Sequence, residues 1–211
     1  MSHVDPPSLF PAAGWQTLPL PSASVRLWRG WLTHQEAREL YERLCATLQW
    51  DQPTLTIAGK THRIPRLQAW HGEADAIYRY SGTTFTPAPW THELLALKQR
   101  LEAACGARFN SMLANWYRTG ADAMGFHADK EPELGPEPVI ASLSLGGARR
   151  FVLKPVRQLE AESLSLDLCN GDLLEMGRTT QRYWRHGIPK TTRAVEPRIN
   201  LTFRFIDNKS S

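Results

Sequence analysis

Cysteine is scarce in this sequence, and the few that are present lie far apart. The 211 residues include three, at positions 45, 105 and 169, and none has a second Cys or a His at zinc-finger spacing. This pattern excludes a disulfide framework and a cysteine-based zinc site. The thiols are therefore expected to stay free in a reducing compartment.

Long apolar runs are missing as well. No stretch approaches the length of a membrane span, and the N-terminus lacks the basic and apolar segments of a secretory signal. We therefore expect no membrane association and a cytoplasmic location, or a nuclear one in a eukaryote. With 42% hydrophobic and 22% charged residues, the composition is that of an ordinary globular protein, which we expect to be a monomer.

The charge balance is only weakly informative. The formal net charge is +4, and basic side chains concentrate within residues 60–66 and 178–193. A polyanionic partner is compatible with this distribution, but on charge alone a solvated basic face is the favoured interpretation.

The N-terminal half is predicted to contain an arm followed by two helices. Residues 1–24 carry five prolines without apolar periodicity, which predicts a flexible arm. A first helix is expected to begin after Thr33, which forms a capping box with Glu36. A second is expected from Thr91 to Cys105. Both helices are predicted to cover the core and to carry no catalytic residue.

From residue 109 onward the pattern changes to short strands separated by glycine and proline. The predicted strands are Ser111–Tyr117, Val139–Leu145, Arg150–Leu153, Ser163–Cys169, Asp172–Met176, Gln181–Trp184 and Arg198–Ile206. Many short strands that follow helices predict an α+β fold, in which a sandwich of sheets has helices packed on one side.

The last predicted strand has two chemically different faces. Alternation places Ile199, Leu201, Phe203 and Phe205 on one face, and Arg198, Asn200, Thr202 and Arg204 on the other. The polar face suits a carboxylate clamp if it lines a cavity, because guanidinium groups bind carboxylates strongly. If it faces water, the strand is an ordinary amphipathic edge.

His127, Asp129 and His186 form a candidate metal site. The first two lie two residues apart, and His186 follows Asp129 by 57 residues. Two His and one carboxylate on one face of an octahedron are typical of non-haem iron(II) oxygenases. On spacing alone, His-x-Asp also recurs in surface loops, and the same three residues also suit a hydrolytic zinc site.

The surrounding residues favour the iron site. A 2-oxoglutarate molecule chelates iron through its keto oxygen and one carboxylate, and its far carboxylate needs a cationic partner. Arg198 and Arg204 follow His186 by 12 and 18 residues on one strand face, and Asn115 and Tyr117 share a face of an earlier strand. These four residues are therefore predicted to hold the cosubstrate. A zinc hydrolase would leave the two arginines without a role.

Taken together, these motifs resemble those of the AlkB family of nucleic-acid demethylases. The resemblance rests on Asn115-Trp-Tyr117, His127-x-Asp129-x-Glu131, His186-Gly-Ile-Pro and above all Arg198-x-Asn200-x-Thr202-x-Arg204. Within the family it is closest to the duplex-DNA repair branch, through Pro65-Arg66-Leu-Gln68-Ala69 and Tyr78-x-Tyr80-Ser81-Gly82. It implies a double-stranded β-helix, or jelly roll, in residues 111–207. Residues 25–110 would then supply helical support and a nucleotide-recognition lid within one domain, 25–208.

The resemblance also implies the chemistry and the roles of residues. With Fe(II), 2-oxoglutarate and O2, such an enzyme oxidises the N-methyl group of 1-methyladenine or 3-methylcytosine and releases formaldehyde. The implied iron ligands are His127, Asp129 and His186, and the implied 2-oxoglutarate ligands are Asn115, Tyr117, Arg198, Asn200 and Arg204. The implied substrate contacts are Glu131 at the base, Tyr78 and Tyr80 as aromatic lid residues, and Arg66, with Lys60, Arg63 and Arg182, at phosphates.

The sequence departs from the duplex branch at one position. That branch has an aromatic wedge eight residues before the arginine of its Pro-Arg pair, where this sequence has Ala58. Alanine cannot fill the gap left by a flipped base. We therefore expect methylated single-stranded DNA to be favoured, with duplex DNA and RNA as further substrates.

Two alternatives remain open at this stage. An AlkB-like oxygenase acting on modified tRNA or another substrate would carry the same iron site. A catalytically silent nucleic-acid-binding module would not consume 2-oxoglutarate, which separates it from an enzyme.

Overall fold

In the computed structural model, which describes residues 14–57, 60–80 and 83–207, two antiparallel sheets form a sandwich. The helices are α1 (His34–Thr47), α2 (His92–Cys105) and α3 (Thr180–Tyr183). The strands in the first half are β1 (Gln16–Thr17), β2 (Ser24–Trp28), β3 (Thr54–Ile57), β4 (Lys60–Arg63), β5 (Leu67–Gly72), β6 (Tyr78–Tyr80) and β7 (Thr83–Phe85). The strands in the second half are β8 (Ser111–Tyr117), β9 (Met124–His127), β10 (Ile140–Gly146), β11 (Arg149–Pro155), β12 (Leu164–Leu168), β13 (Leu173–Gly177), β14 (Trp184–Ile188) and β15 (Arg198–Arg204).

The strand order is that of a jelly roll. The larger sheet runs β1-β2-β13-β10-β15-β8-β5, and the smaller runs β12-β11-β14-β9. From β8 to β15 the chain crosses between the sheets at every step except the β11–β12 hairpin, so residues far apart in sequence become neighbours. The hairpins β3–β4 and β6–β7 lie outside both sheets. This order confirms the predicted fold class.

Apolar side chains fill the space between the sheets. Leu174 and Ile140 from the larger sheet meet Phe151, Leu153 and Trp184 from the smaller one in a single buried cluster. Each strand contributes alternate residues to this layer, because successive side chains point to opposite faces. These apolar contacts hold the two sheets together.

The two long helices cover the outer face of the larger sheet, as predicted. A second buried cluster joins Leu44 of α1 and Leu101 of α2 to Leu143, Leu201 and Phe203 of the sheet. Helix α1 begins with the predicted capping box between Thr33 and Glu36. Helix α2 ends at Gly106, whose φ of 65° lies in the left-handed region.

Several expectations were wrong in detail. Gln181 does not begin a strand, because residues 180–183 form the short helix α3 and the strand starts at Trp184. Strand β9 was not predicted at all. Phe205 lies beyond the end of β15 and is 38% exposed, so it does not continue the apolar face.

The ordered fold also reaches further back than the expected boundary at residue 25. Strand β1 pairs with β2 at the edge of the larger sheet, and Trp15 contacts Trp28 edge-on with ring centroids 5.6 Å apart. Part of the predicted arm therefore belongs to the sandwich, while residues 1–13 lie outside the described part. No helix within the described ranges has both the length and the apolarity needed to cross a membrane.

Candidate iron and cosubstrate site

His127 and His186 meet across two neighbouring strands of the smaller sheet. They are register partners in the β9–β14 pair, and their ring centroids lie 4.4 Å apart. His186 is buried and stacks against Phe151 with ring centroids 5.6 Å apart. Sheet pairing therefore places two imidazoles side by side at the open end of the sandwich.

Asp129 completes the triad just after β9. Its Oδ1 lies 3.6 Å from Nε2 of His127. One candidate ligand atom from each of the three residues lies within 4.8 Å of the others, the only such group found in the described part of the chain. The backbone N–H of Asp129 donates to Oε1 of Gln181 at 3.0 Å, which fixes the turn after the strand. The structure thus brings the three predicted metal ligands together.

The hydrogen bonds leave the ligand atoms free to face a metal. Nδ1 of His127 lies 2.9 Å from the carbonyl oxygen of Gly125, which can only accept, so this nitrogen carries the proton and Nε2 keeps its lone pair. On Asp129, Arg204 occupies Oδ2 and leaves Oδ1 on the side of His127. Such outer partners orient metal ligands in many metalloproteins.

The charge states also suit a metal. Burial lowers the pKa of His186 to about 3, so the ring is neutral at physiological pH. Burial alone would raise the pKa of Asp129, but the positive charge of Arg204 and hydrogen bonds from it hold that pKa below its ordinary value. Two imidazoles and one carboxylate form the donor set of non-haem Fe(II) sites.

Arg198 is the candidate cationic partner for the cosubstrate. Its side chain is fully buried, and Nη2 donates to Oγ of Ser144 at 2.9 Å, while Nε and Nη1 have no hydrogen-bond partner. Burial lowers the pKa of Arg198 to about 10, which still leaves it charged at physiological pH. A buried guanidinium with unsatisfied donors is costly unless an anion completes it. The far carboxylate of 2-oxoglutarate fits this requirement.

The remaining predicted cosubstrate ligands line a cavity together with His127 and His186, although Arg198 itself is not among its lining residues. Strand pairing sets Tyr117 opposite Arg198 and Asn115 opposite Asn200. A cavity of about 400 Å³, including its open mouth, is bounded by Asn115, Tyr117, Met124, His127, Ser142, Phe151, Met176, His186, Gly187, Ile188, Asn200, Thr202 and Arg204. Three residues of the predicted polar face of β15, Asn200, Thr202 and Arg204, therefore face a cavity and not bulk water, and the fourth, Arg198, is fully buried.

The substrate candidates are less completely placed. Glu131 is partly buried and directly precedes a 3₁₀ turn (Pro132–Leu134), but it is not among the residues that line the cavity. Tyr78 and Tyr80 lie in β6, and their side chains, like that of Lys60, lie outside the described part. Arg63 and Arg182 are exposed, as a phosphate contact requires, whereas Ala58 lies outside the described residues.

The environment of Arg66 differs most from the one expected from the sequence. It is only 8% exposed, and its guanidinium donates to Oδ1 of Asn115 at 2.8 Å and to the carbonyl oxygen of Ala123 at 3.2 Å. Its guanidinium thus points into the fold. This geometry favours an internal role over the expected phosphate contact.

Three supporting residues were not assigned a role from the sequence. Gln181 holds the backbone of Asp129, Ser144 accepts from Arg198, and Ser142 accepts from Asn200 at 2.9 Å. The two serines share one face of β10, so their alternate spacing was the available signal. Gln181 offered no such signal, because its partner lies 52 residues away.

The comparisons with known proteins agree with this site. A family profile described as "2OG-Fe(II) oxygenase superfamily" matches residues 24–204. "Alpha-ketoglutarate-dependent dioxygenase alkB homolog 3" of Homo sapiens is 40% identical over 190 residues, which cover 86% of this chain and 66% of the relative. "DNA oxidative demethylase ALKBH2" of Homo sapiens is 36% identical over 182 residues, which cover 81% of this chain and 69% of the relative. The chain thus spans about two thirds of the length of these curated relatives.

Solved structures show the same fold at low sequence identity. The structure of OsALKBH1 matches with a TM-score of 0.64 at 19% identity, and covers 91% of this chain and 100% of that one. An oxidoreductase of the 2OG-Fe(II) oxygenase family from Burkholderia pseudomallei matches with a TM-score of 0.57 at 16% identity, over 89% of each chain. The family profile spans both sheets, and the two curated relatives are at least 36% identical to this sequence over the aligned residues. The chain therefore belongs to the 2OG-Fe(II) oxygenase superfamily and, within it, to the AlkB family.

Proposed function

We propose that this protein catalyses the oxidative demethylation of N-methylated nucleobases in nucleic acid, with Fe(II), 2-oxoglutarate and O2, and releases formaldehyde. The observation that carries the proposal is the fully buried Arg198 with two unsatisfied donors, on the same strand as Arg204, which bonds Asp129 of the triad His127, Asp129 and His186. A metal site without an acidic cosubstrate would leave this guanidinium unexplained. The printed names of the relatives, a DNA oxidative demethylase among them, support the reaction class.

Each residue of the site has a distinct task in this reaction. His127, Asp129 and His186 would hold the iron, and Arg198 would pair with the far carboxylate of 2-oxoglutarate. Tyr117 contributes a neutral donor, because burial raises the pKa of its hydroxyl. When bound, iron and 2-oxoglutarate supply the oxidation of the methyl group by dioxygen. The side chains bind and orient the metal and the cosubstrate, and they exclude water from the site.

The proposed substrates are 1-methyladenine and 3-methylcytosine in DNA, with RNA as a further substrate. A base inside a duplex must leave the stack to reach a buried site. Methylation at the pairing edge removes base pairing and adds a positive charge, so the lesion flips more easily and attracts a carboxylate such as Glu131. We propose that single strands are favoured, because Ala58 offers no aromatic wedge.

A demethylation assay tests this proposal. Four oligonucleotides would carry 1-methyladenine or 3-methylcytosine, each in single- and double-stranded DNA, with matching RNAs afterwards. Mass detection of the base and detection of formaldehyde would follow in the presence and absence of 2-oxoglutarate. The proposal predicts loss of the methyl group only with the cosubstrate. Unchanged oligonucleotides, alongside succinate formation on modified tRNA, would favour the tRNA alternative.

A further inference from the structure

Arg66 connects three parts of the molecule. It follows β4 by three residues, so it lies at the base of the β3–β4 hairpin. Nε of its guanidinium donates to Asn115 on β8, and Nη1 donates to the carbonyl oxygen of Ala123, directly before β9. The carbonyl oxygen of Pro65 in turn accepts from the N–H of Ala123 at 2.9 Å. The hairpin, the cosubstrate strand and the strand that carries His127 therefore meet at this one side chain.

The contacts of Asn115 determine which end of its amide faces the cavity. Its Oδ1 accepts from Nε of Arg66 at 2.8 Å and from Nε2 of Gln68 at 2.9 Å. A carbonyl oxygen has two acceptor sites, so these two bonds use its capacity and leave Nδ2 as the donor. Asn115 lines the cavity, so that donor is available to a bound molecule.

Of the two partners, Arg66 is the one that enforces this orientation. Gln68 carries both an oxygen and an amino group, so it can pair with either end of the Asn115 amide by rotating its own. A guanidinium has only donors and cannot accept a hydrogen bond. With Arg66 in place, a flipped Asn115 would set its amino group against a buried cation.

We propose that Arg66 is a positioning residue for cosubstrate binding, which holds the Asn115 amide with Nδ2 toward 2-oxoglutarate and ties the β3–β4 hairpin to that site. This inference rests on the proposed function. It replaces the expected phosphate contact, since an arginine that is 8% exposed and already bonded to two internal oxygens has little reach toward a nucleic acid.

Calorimetric titration of 2-oxoglutarate into protein loaded with redox-inert Mn(II) tests the proposal without turnover. Arg66→Met should weaken 2-oxoglutarate binding about tenfold, the effect of losing one charge-assisted hydrogen bond. Arg66→Lys, which keeps a cationic donor, should recover most of the affinity. Arg150→Met is the matched control, because Arg150 is exposed on β11 and its nearest carboxylate is that of Asp167 at 3.8 Å, and it should bind 2-oxoglutarate as the unmodified protein does.

A double-mutant cycle separates positioning from a general loss of packing. In an Asn115→Ala background, Arg66→Met should cause no further loss of 2-oxoglutarate affinity, since its effect passes through Asn115. Additive losses would overturn the proposal. If Arg66→Met does not fold, Asn115→Asp keeps an oxygen that accepts from Arg66 but replaces the Nδ2 donor toward the cavity with a second oxygen, and it should weaken binding severalfold. Unchanged affinity in that variant would also overturn the proposal.

The affinity for a methylated oligonucleotide, measured at several salt concentrations, distinguishes a phosphate contact of Arg66 from the proposed positioning role. Loss of such a contact lowers the slope of log affinity against log salt by about one. Arg66→Met should leave the slope unchanged, whereas Arg63→Met, at the exposed end of β4, should lower it. A lowered slope in Arg66→Met with normal 2-oxoglutarate affinity would overturn the positioning role. Failure of the unmodified protein to bind 2-oxoglutarate would instead overturn the proposed function, and this inference with it.

Discussion

Arg204 donates two hydrogen bonds to the same carboxylate oxygen of Asp129, from Nε at 3.2 Å and from Nη2 at 3.1 Å. The last arginine of the β15 motif therefore contacts a metal ligand, while Arg198, six residues earlier, keeps two donors unsatisfied. The two arginines were predicted together as a cosubstrate clamp. Because their surroundings differ, we propose that the two arginines have different tasks, which can be measured separately.

Substitution of the metal ligands should abolish turnover without unfolding the protein. His127→Ala, Asp129→Ala and His186→Ala each remove one donor from a cavity wall, and the apolar layer between the sheets stays intact. Iron content after anaerobic loading and circular dichroism would be measured beside activity. His92→Ala, at the exposed start of α2, is the matched control and should retain both iron and activity. Near-normal activity in any of the three ligand variants would disprove the triad.

Arg198→Met and Arg204→Met should differ in their effects on the metal. Loss of Arg198 should leave metal affinity unchanged and raise the apparent Michaelis constant for 2-oxoglutarate strongly, since an unpaired buried carboxylate costs roughly 2–5 kcal/mol. Loss of Arg204 should weaken Mn(II) binding as well, because the orientation of Asp129 is no longer fixed. Titration of Mn(II) and of 2-oxoglutarate into each variant checks both statements. Identical behaviour of the two variants would contradict the division of tasks.

Single-stranded methylated DNA should be demethylated faster than duplex DNA. Duplex substrates carry an unstacking cost of a few kcal/mol that single strands avoid. Ala58→Phe should narrow the difference, because the strands on either side of position 58 pair from Ile57 and Lys60 onward. Demethylation rates on single- and double-stranded oligonucleotides of the same sequence measure this difference in the unmodified protein and in the variant. Equal or faster turnover of duplex by the unmodified protein would mean that position 58 has no influence on substrate choice.

Asp122 should stabilise the turn between β8 and β9 only while it is ionised. Burial alone would raise the pKa of its carboxyl, but hydrogen bonds from the side chain and backbone N–H of Arg118 lower that pKa below its ordinary value. Because the folded pKa is the lower one, this stabilisation is complete above the unfolded pKa and is lost as pH falls through the folded pKa.

The Asp122→Asn variant checks this dependence. At about pH 7 the substitution should reduce the free energy of unfolding by about 1–3 kcal/mol, and the difference should shrink below about pH 4 as the native carboxyl is protonated. Urea unfolding of both proteins across this range is the measurement. A difference that stays constant with pH would contradict the ionised pair.

The sequence predicted the elements whose signals are local. The capping box of α1 and the alternating faces of β15 depend on neighbouring residues, and both were correct in the structure. Strand β9 has four residues and includes Gly125, so it lacks an alternating pattern and forms through its pairing with β14. The segment from Gln181 to Trp184 has the composition of a strand, but residues 180–183 form a helical turn in which the hydroxyl of Thr180 donates to the carbonyl oxygen of Gly177, a contact that only the fold reveals.

For the site, sequence spacing gave the residue types but not their partners. The structure brings the predicted triad together, and Asn200, Thr202 and Arg204 of the β15 motif line the adjacent cavity, whereas the binding roles predicted for these residues stay predictions. The burial of Arg66 could not be predicted, because it depends on Asn115, 49 residues further along the chain. The bond between Arg204 and Asp129 spans 75 residues and likewise depends on the tertiary fold.

A single-turnover experiment tests the central claim most directly. Protein loaded with Fe(II) and 2-oxoglutarate would receive one equivalent of a single-stranded oligonucleotide that carries one 1-methyladenine, and then oxygen. Succinate, formaldehyde and the repaired base would be quantified together, with Asp129→Ala as the inactive control. The account predicts equal amounts of all three products with the unmodified protein and none with the variant. Loss of the methyl group without succinate, or succinate formed while the methylated base stays intact, would contradict it.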